Sequence, residues 1–206
     1  MRFFVALQLS PKVTTSLSDL IRRLEPCSGL HWVSPRNMHL TLKYIGEWPS
    51  EKTEEIIKCL NEIRMPIREK ILNIPLAGLG FFPNSHQPKV FWAGAENTPG
   101  LRQLASVIDS ALQSVGVAPA VRPYQPHLTL ARINDDALMD GLLRAIEDLP
   151  SREFGVISPD RFGLFESNLT EGGPSYSKIA EFPFLKQSVD KSPYLAGRRP
   201  MRVVAR

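Results

Sequence analysis

The tetrapeptide His39-Leu40-Thr41-Leu42 returns unchanged as His127-Leu128-Thr129-Leu130, 88 residues further along the chain. The 206 residues include four histidines and seven threonines, so random placement would give roughly 0.14 His-x-Thr triplets. Two occur, both with leucine at the second and fourth positions. In a β-strand successive side chains alternate between faces, so His and Thr at i and i+2 share one face, about 7 Å apart, and both leucines take the other. Each copy then presents an imidazole and a hydroxyl above a leucine underside. Two such strands facing each other would offer four polar groups to one ligand. A single copy is ordinary sheet surface, with threonine present for its β propensity; two copies at matching places in the chain are not.

The surroundings of the two copies also match. Phe3 to Leu9 reads as a strand covered on both faces, and Val13, Leu17, Leu20, Ile21 and Leu24 recur at helical spacing up to Pro26. After a loop from Gly29 to Asn37, the first His-x-Thr strand runs from about Met38 to Ile45, with Lys43 on the His39 face and Tyr44 on the leucine face. Gly46 to Ser50 breaks it. Ser50 is a candidate helix cap with Glu51 in the first turn. Ile56, Ile57, Leu60 and Ile63 form the buried stripe, and Ile71 to Ala77 is a further strand. The order then repeats. A strand from Lys89 to Ala95 leads to Thr98-Pro99, an N-cap with proline at the first helical position. A helix face of Leu101, Leu104, Ala105, Ile108, Ala111 and Leu112 follows, then the second His-x-Thr strand. Next come a helix capped by Asp135 and carrying Leu138, Leu142, Leu143 and Ile146, and a strand from Phe154 to Ile157. The loop Phe81 to Pro88 joins the halves. Arg161 to Glu166 and Tyr176 to Phe182, around Gly172-Gly173, form a closing hairpin. The expectation is one two-lobed domain over residues 1–186, with pseudo-repeats at about 1–80 and 88–160.

Charge says little about the cleft. The net charge of +4 resides in residues 187–206, where Lys191, Arg198, Arg199, Arg202 and Arg206 stand against Asp190; residues 1–186 balance. That segment reads as a basic, disordered tail able to bind polyanions non-specifically. Cys27 and Cys59 make neither a Cys-x-x-Cys motif nor a disulfide framework, and a reducing, cytoplasmic setting is expected. Met1 to Leu9 is too short for a signal peptide and lacks a cleavage pattern. No stretch is long enough to span a membrane as a helix, and a monomer is expected.

Histidine titrates near pH 6.5, so a pair can serve at once as a neutral base and a charged acid. Phosphodiester cleavage needs that pair: one group accepts a proton from the nucleophile, the other gives one to the leaving oxygen. Two threonine hydroxyls can hydrogen-bond the non-bridging phosphate oxygens, which gain charge in the transition state. Lys43 would add a cation there. Two histidines with no Asp, Glu or Cys at ligand spacing make a poor zinc or iron site. The sequence pattern alone leaves the acid and base roles interchangeable.

Trp32 through Glu47, containing Pro35-Arg36-Asn37-Met38-His39-Leu40-Thr41-Leu42-Lys43-Tyr44, carries a wider pattern, as do Phe82-Pro83-Asn84, Val90-Phe91-Trp92-Ala93-Gly94, Pro126 to Arg132 and Leu164-Phe165-Glu166-Ser167. Over about residues 1–185 the chain resembles the two-histidine (2H) phosphoesterases. It is most similar to the RNA 2′,3′-cyclic phosphodiesterases, historically called 2′-5′ RNA ligases. The resemblance implies an α+β, bilobal fold with two antiparallel sheets lining a central cleft and helices outside. It implies hydrolysis of a 2′,3′-cyclic phosphate at an RNA end to a 2′-phosphate. His39 would be proton donor and His127 proton acceptor, with Thr41 and Thr129 holding the phosphate. It implies no metal or other cofactor. Some relatives also form a 2′-5′ bond, formally the reverse reaction. Arg132 matches the family position after the second motif, but plain alternation puts it on the leucine face, so a role there needs the strand to end or bulge. Tyr124, Trp48 and Phe165 are candidates to stack on a base. Arg36, His31 and His86 read as loop residues, and Trp32 and Trp92 as core. Two other readings stay open: a cyclic phosphodiesterase of small nucleotides, and an RNA-binding module without turnover.

Overall fold

The structure is a computed structural model, and it describes residues 1–28, 30–63, 66–67, 72–134, 139–170 and 173–186. Strand β1 (Arg2–Gln8) leads into helix α1 (Pro11–Ser28), the two-residue strand β2 (His31–Trp32) and strand β3 (His39–Glu47). Helix α2 (Thr53–Asn61), the short β4 (Pro66–Ile67) and β5 (Ile74–Phe82) complete the first half. The second half runs β6 (Val90–Ala95), α3 (Pro99–Gln113), β7 (His127–Arg132), α4 (Met139–Glu147), β8 (Glu153–Ile157), β9 (Arg161–Thr170), β10 (Gly173–Pro183) and β11 (Leu185–Lys186).

The expected α+β architecture is present. One antiparallel sheet has the order β10-β9-β1-β3 and the other β2-β7-β6-β5-β8, while β11 pairs in parallel with β4. The strand that ends the first half, β5, therefore lies in the second half's sheet, beside β6. In return β9 from the end of the chain lies beside β1. The helices exchange in the same way: α1 packs on α4 and β8, and α3 packs on α2 and β3. The apolar stripes that make these helices amphipathic are what they bury. Leu17 and Leu24 of α1, Ile56 and Leu60 of α2, Leu104 and Ile108 of α3, and Leu142 of α4 join one core with Leu40, Leu42, Leu128 and Leu130.

Several local expectations shift for identifiable reasons. Pro26 does not end α1, which continues to Ser28; a proline in the final turn forfeits only one backbone hydrogen bond. Strand β3 does not break at Gly46, because that glycine takes φ 84° beside a register shift and the strand continues to Glu47. Residues Ser50–Lys52 form a 3-10 turn and α2 begins at Thr53, without a side-chain cap. Thr98 does cap α3, its hydroxyl accepting from the Leu101 amide at 3.3 Å. Strand β5 starts at Ile74 and absorbs Phe81 and Phe82, read above as interlobe loop. Leu143 is exposed, whereas Leu142 and Ile146 are buried. Ile71, Asp135, Leu138, Gly172 and the tail from 187 lie outside the described residues.

Candidate active site

Strands β3 and β7 approach each other although they belong to different sheets. Leu40, Leu42, Leu128 and Leu130 are buried, and His39, Thr41, His127 and Thr129 line one cavity of about 610 Å³. The leucines fix each strand's rotation, and the opposite face then has nowhere to point but into the cavity.

Both imidazoles are held in the same way. His39 Nδ1 donates to the carbonyl of Asn37 at 2.7 Å, and His127 Nδ1 donates to the carbonyl of Gln125 at 2.8 Å. A carbonyl can only accept, so Nδ1 carries the hydrogen in both rings and Nε2 is the nitrogen left for chemistry. Aromatic rings back them. His39 stacks on Phe4 at 4.5 Å between centroids and meets the edge of Tyr176 at 5.1 Å. His127 meets Phe82 at 4.9 Å and Trp92 at 6.4 Å. Trp92 is thus on the cleft side of its strand, against the expectation of core, while its neighbours Phe91 and Ala93 are buried. Burial holds the His39 pKa below the ordinary imidazole value; the Asn37 carbonyl opposes this and the nearby charge of His127 adds to it.

Beyond Thr41 and Thr129 the strict alternation fails, at equivalent places. In β3 the partners pass from Ala6↔Thr41 to Val5↔Lys43, leaving Leu42 unpaired; in β7 they pass from Trp92↔Thr129 to Phe91↔Ala131, leaving Leu130 unpaired. Each extra residue is a β-bulge, which flips the phase of everything after it. Lys43 is consequently not a cleft cation. It is only 7% exposed, paired with Asp109 of α3, and donates to the Ala118 carbonyl at 2.7 Å. Asp109 also accepts from the Ala120 amide at 3.1 Å. Lys43 therefore ties β3 to α3 and to the loop that leads into β7. The same bulge brings Tyr44 to the cavity wall, and the bulge in β7 brings Arg132 there. For Arg132 this meets the condition the sequence had set.

Two aromatic candidates are struts rather than stacking platforms. The Tyr124 hydroxyl donates to the Thr41 carbonyl at 3.0 Å, and burial pushes its pKa up. Phe165 is buried and stacks on Phe4 at 5.4 Å, one layer behind His39. Neither lines the cavity, and nor do Trp48 or Arg36. Trp48 packs against the core and Trp32 meets the edge of Phe91 at 6.0 Å. His31 contacts Asn134 at 2.8 Å on the surface, and His86 is exposed in its loop. Sequence reasoning missed Phe4, Tyr44 and Tyr176. Phe4 lies on a strand whose two faces are both apolar enough to hide which one faces the cleft; Tyr176 lies on a strand of mixed polarity with a register shift after Lys178, so alternation does not assign its face. Burial raises the Tyr176 phenol pKa, and the charge of Arg132 acts in the opposite direction across the cavity. Among the described residues no group of three or more His, Cys, Asp or Glu is placed to hold a metal ion, and no helix is long and apolar enough to cross a membrane.

The model of the 2′-5′ RNA ligase superfamily matches residues 7–166. An RNA 2′,3′-cyclic phosphodiesterase of Thermotoga maritima is 33% identical over 187 residues, covering 89% of this chain and 96% of the relative. One of Methanocaldococcus jannaschii is 31% identical over 182 residues, covering 88% of this chain and 100% of the relative. A crystal structure of a Thermus thermophilus protein aligns with a TM-score of 0.73 at 26% identity, covering 91% of this chain and 100% of that one. Escherichia coli LigT complexed with 3′-AMP aligns with a TM-score of 0.72 at 25% identity, covering 90% and 98%.

Proposed function

Because the chain belongs to the 2′-5′ RNA ligase superfamily, we propose that it hydrolyses the 2′,3′-cyclic phosphate at RNA ends to a 2′-phosphomonoester, by two-histidine acid/base catalysis without a metal. The carrying observation is that both His-x-Thr pairs face one cavity, each ring with Nδ1 committed to a carbonyl and Nε2 free. The threonine hydroxyls donate to the non-bridging oxygens, and Arg132 adds a cation beside them. One Nε2 takes a proton from water as its oxygen forms the new bond to phosphorus. The bond from phosphorus to O3′ breaks, and the other Nε2–H protonates the departing oxygen. The product carries a 2′-phosphate and a free 3′-hydroxyl. Joining through a 2′-5′ bond would run the same proton transfers backwards; the proposal is hydrolysis.

By family resemblance His39 gives the proton and His127 takes one. Burial favours the neutral form of His39 in the free enzyme, whereas an anionic phosphate on Thr41 and Thr129 favours the charged form. Substrate binding thus supplies the condition under which His39 acts as an acid. The domain assignment proposed with this function is one two-lobed unit over residues 1–186, built from two pseudo-repeats. The direct test is a short RNA ending in a 2′,3′-cyclic phosphate, incubated with the protein and EDTA, with the product's phosphate position identified. A 2′-phosphate is expected. A 3′-phosphate would reverse which oxygen the acid serves, and an absence of turnover with or without added divalent metal would overturn the proposal.

A further inference from the structure

The cavity is close to two-fold in its chemistry. His39 corresponds to His127, Thr41 to Thr129, and the carbonyls that hold the rings correspond as well. A site with two equivalent ends has no intrinsic direction. A cyclic phosphate could lie on the threonines with O3′ toward either histidine, and the two orientations would yield different isomers. Something must break the equivalence, and the register shows where it breaks.

The bulges at Leu42 and Leu130 bring the next cleft-facing residues to matching places, Tyr44 in β3 and Arg132 in β7. One is an aromatic ring and the other a cation. Tyr44 is 61% exposed and has neither a ring partner nor a hydrogen bond among the described residues, although it stands in the cavity wall. The other rings around the site are occupied: Phe4 by His39 and Phe165, Tyr176 by Phe4 and His39, Phe82 by Trp92 and His127. Arg132 has no carboxylate partner among the described residues, and its charge is felt at Tyr176 across the cavity. Because of the bulge, Thr41 and Tyr44 stand opposite Ala6 and Phe4, two residues apart on β1, so they lie about 7 Å apart along the strand, which leaves room for a ribose between a phosphate on the threonines and a base on the tyrosine.

Resting on the cyclic-phosphate reading above, we propose that Tyr44 is the nucleobase subsite, and that its pairing with Arg132 across the pseudo-two-fold gives the substrate its direction. The base stacks on the exposed ring and the phosphate side is drawn toward the guanidinium. That orientation decides which ribose oxygen faces which histidine. Stacking on a ring face is tolerant of base identity, so the subsite takes a nucleobase as a class and reads none in particular.

The experiment compares a nucleoside 2′,3′-cyclic phosphate with ribose 2′,3′-cyclic phosphate, which lacks the base, on wild-type protein and on Tyr44→Ala, Tyr44→Phe and Arg132→Ala, measuring KM and the ratio of 2′- to 3′-phosphate. Wild type is expected to give a single isomer from the nucleoside substrate. From the baseless one it gives both isomers, with KM raised about tenfold, as loss of one stacked base requires. Tyr44→Ala should treat the nucleoside substrate as wild type treats the baseless one, and Tyr44→Phe should restore both KM and isomer purity. Arg132→Ala should raise KM for both substrates alike and, with one member of the pair gone, should yield both isomers from the nucleoside substrate. If Tyr44→Ala keeps a single isomer and an unchanged KM, the inference is overturned while the hydrolytic function stands. If wild type turns over neither these substrates nor an RNA end, the functional reading itself fails.

Discussion

His39 is where burial and the proposed role as proton donor pull against each other. Its ring lies between Phe4 and Tyr176, and removing water from around an imidazole disfavours its charged form. A group whose pKa is lowered stays neutral down to a lower pH and takes up its proton only below that point. A proton donor acts only while charged, so in a profile of kcat/KM, which reports the free enzyme, the lowered pKa should displace the maximum toward acid pH relative to a donor at the ordinary imidazole value of about 6.5. Replacing Phe4 by Ala opens the ring to water and should move that maximum upward; an unmoved maximum would mean that burial by Phe4 is not the cause. The four residues that share the cavity were legible as a set from spacing alone, since a repeated His-x-Thr pattern needs only alternation. The cleft cation was not. Lys43, assigned to the His39 face, is buried, and Tyr44 and Arg132 take the cleft positions, because a single unpaired residue reverses every face assignment after it.

At the scale of elements, the two bulges explain why β3 and β7 do two jobs each. Their first three residues serve the cavity, and their later residues change sides. In β3 the change creates the tie from Lys43 to Asp109 and Ala118. Lys43→Met removes one member of a largely buried pair and leaves Asp109 partly uncompensated. Breaking such a pair costs about 3–5 kcal/mol when fully buried; Asp109 keeps some solvent contact, so roughly 2–3 kcal/mol is expected, read as a lowered urea midpoint at unchanged slope. A loss below about 0.5 kcal/mol would place the lysine among weak surface pairs. Helix periodicity located all four α-helices found among the described residues from their apolar stripes. Boundaries were less legible, as with Pro26 and with Phe81–Phe82, because they depend on neighbours distant in sequence.

In the whole molecule, the repeated order of elements was visible in the sequence, but the exchange of strands between halves was not. Nothing local distinguishes a strand that pairs within its own half from one that crosses to the other. β5 finds its partners in β6 and β8, and β1 needs β9 as well as β3. A fragment of residues 1–86 should therefore lack a cooperative urea transition by circular dichroism, and a cooperative one would show that the first half folds without the second. The same interleaving bears on how a substrate gets in. The chain passes from one sheet to the other between β1 and β2, between β2 and β3, between β3 and β5, and again between β8 and β9. Domain closure about a hinge concentrates its bending in a few residues, and here four crossings would have to bend in concert. The jaws are effectively set at a fixed gape. Admission and release then fall to the side chains at the rim, which reorient in nanoseconds, and not to a door that must swing.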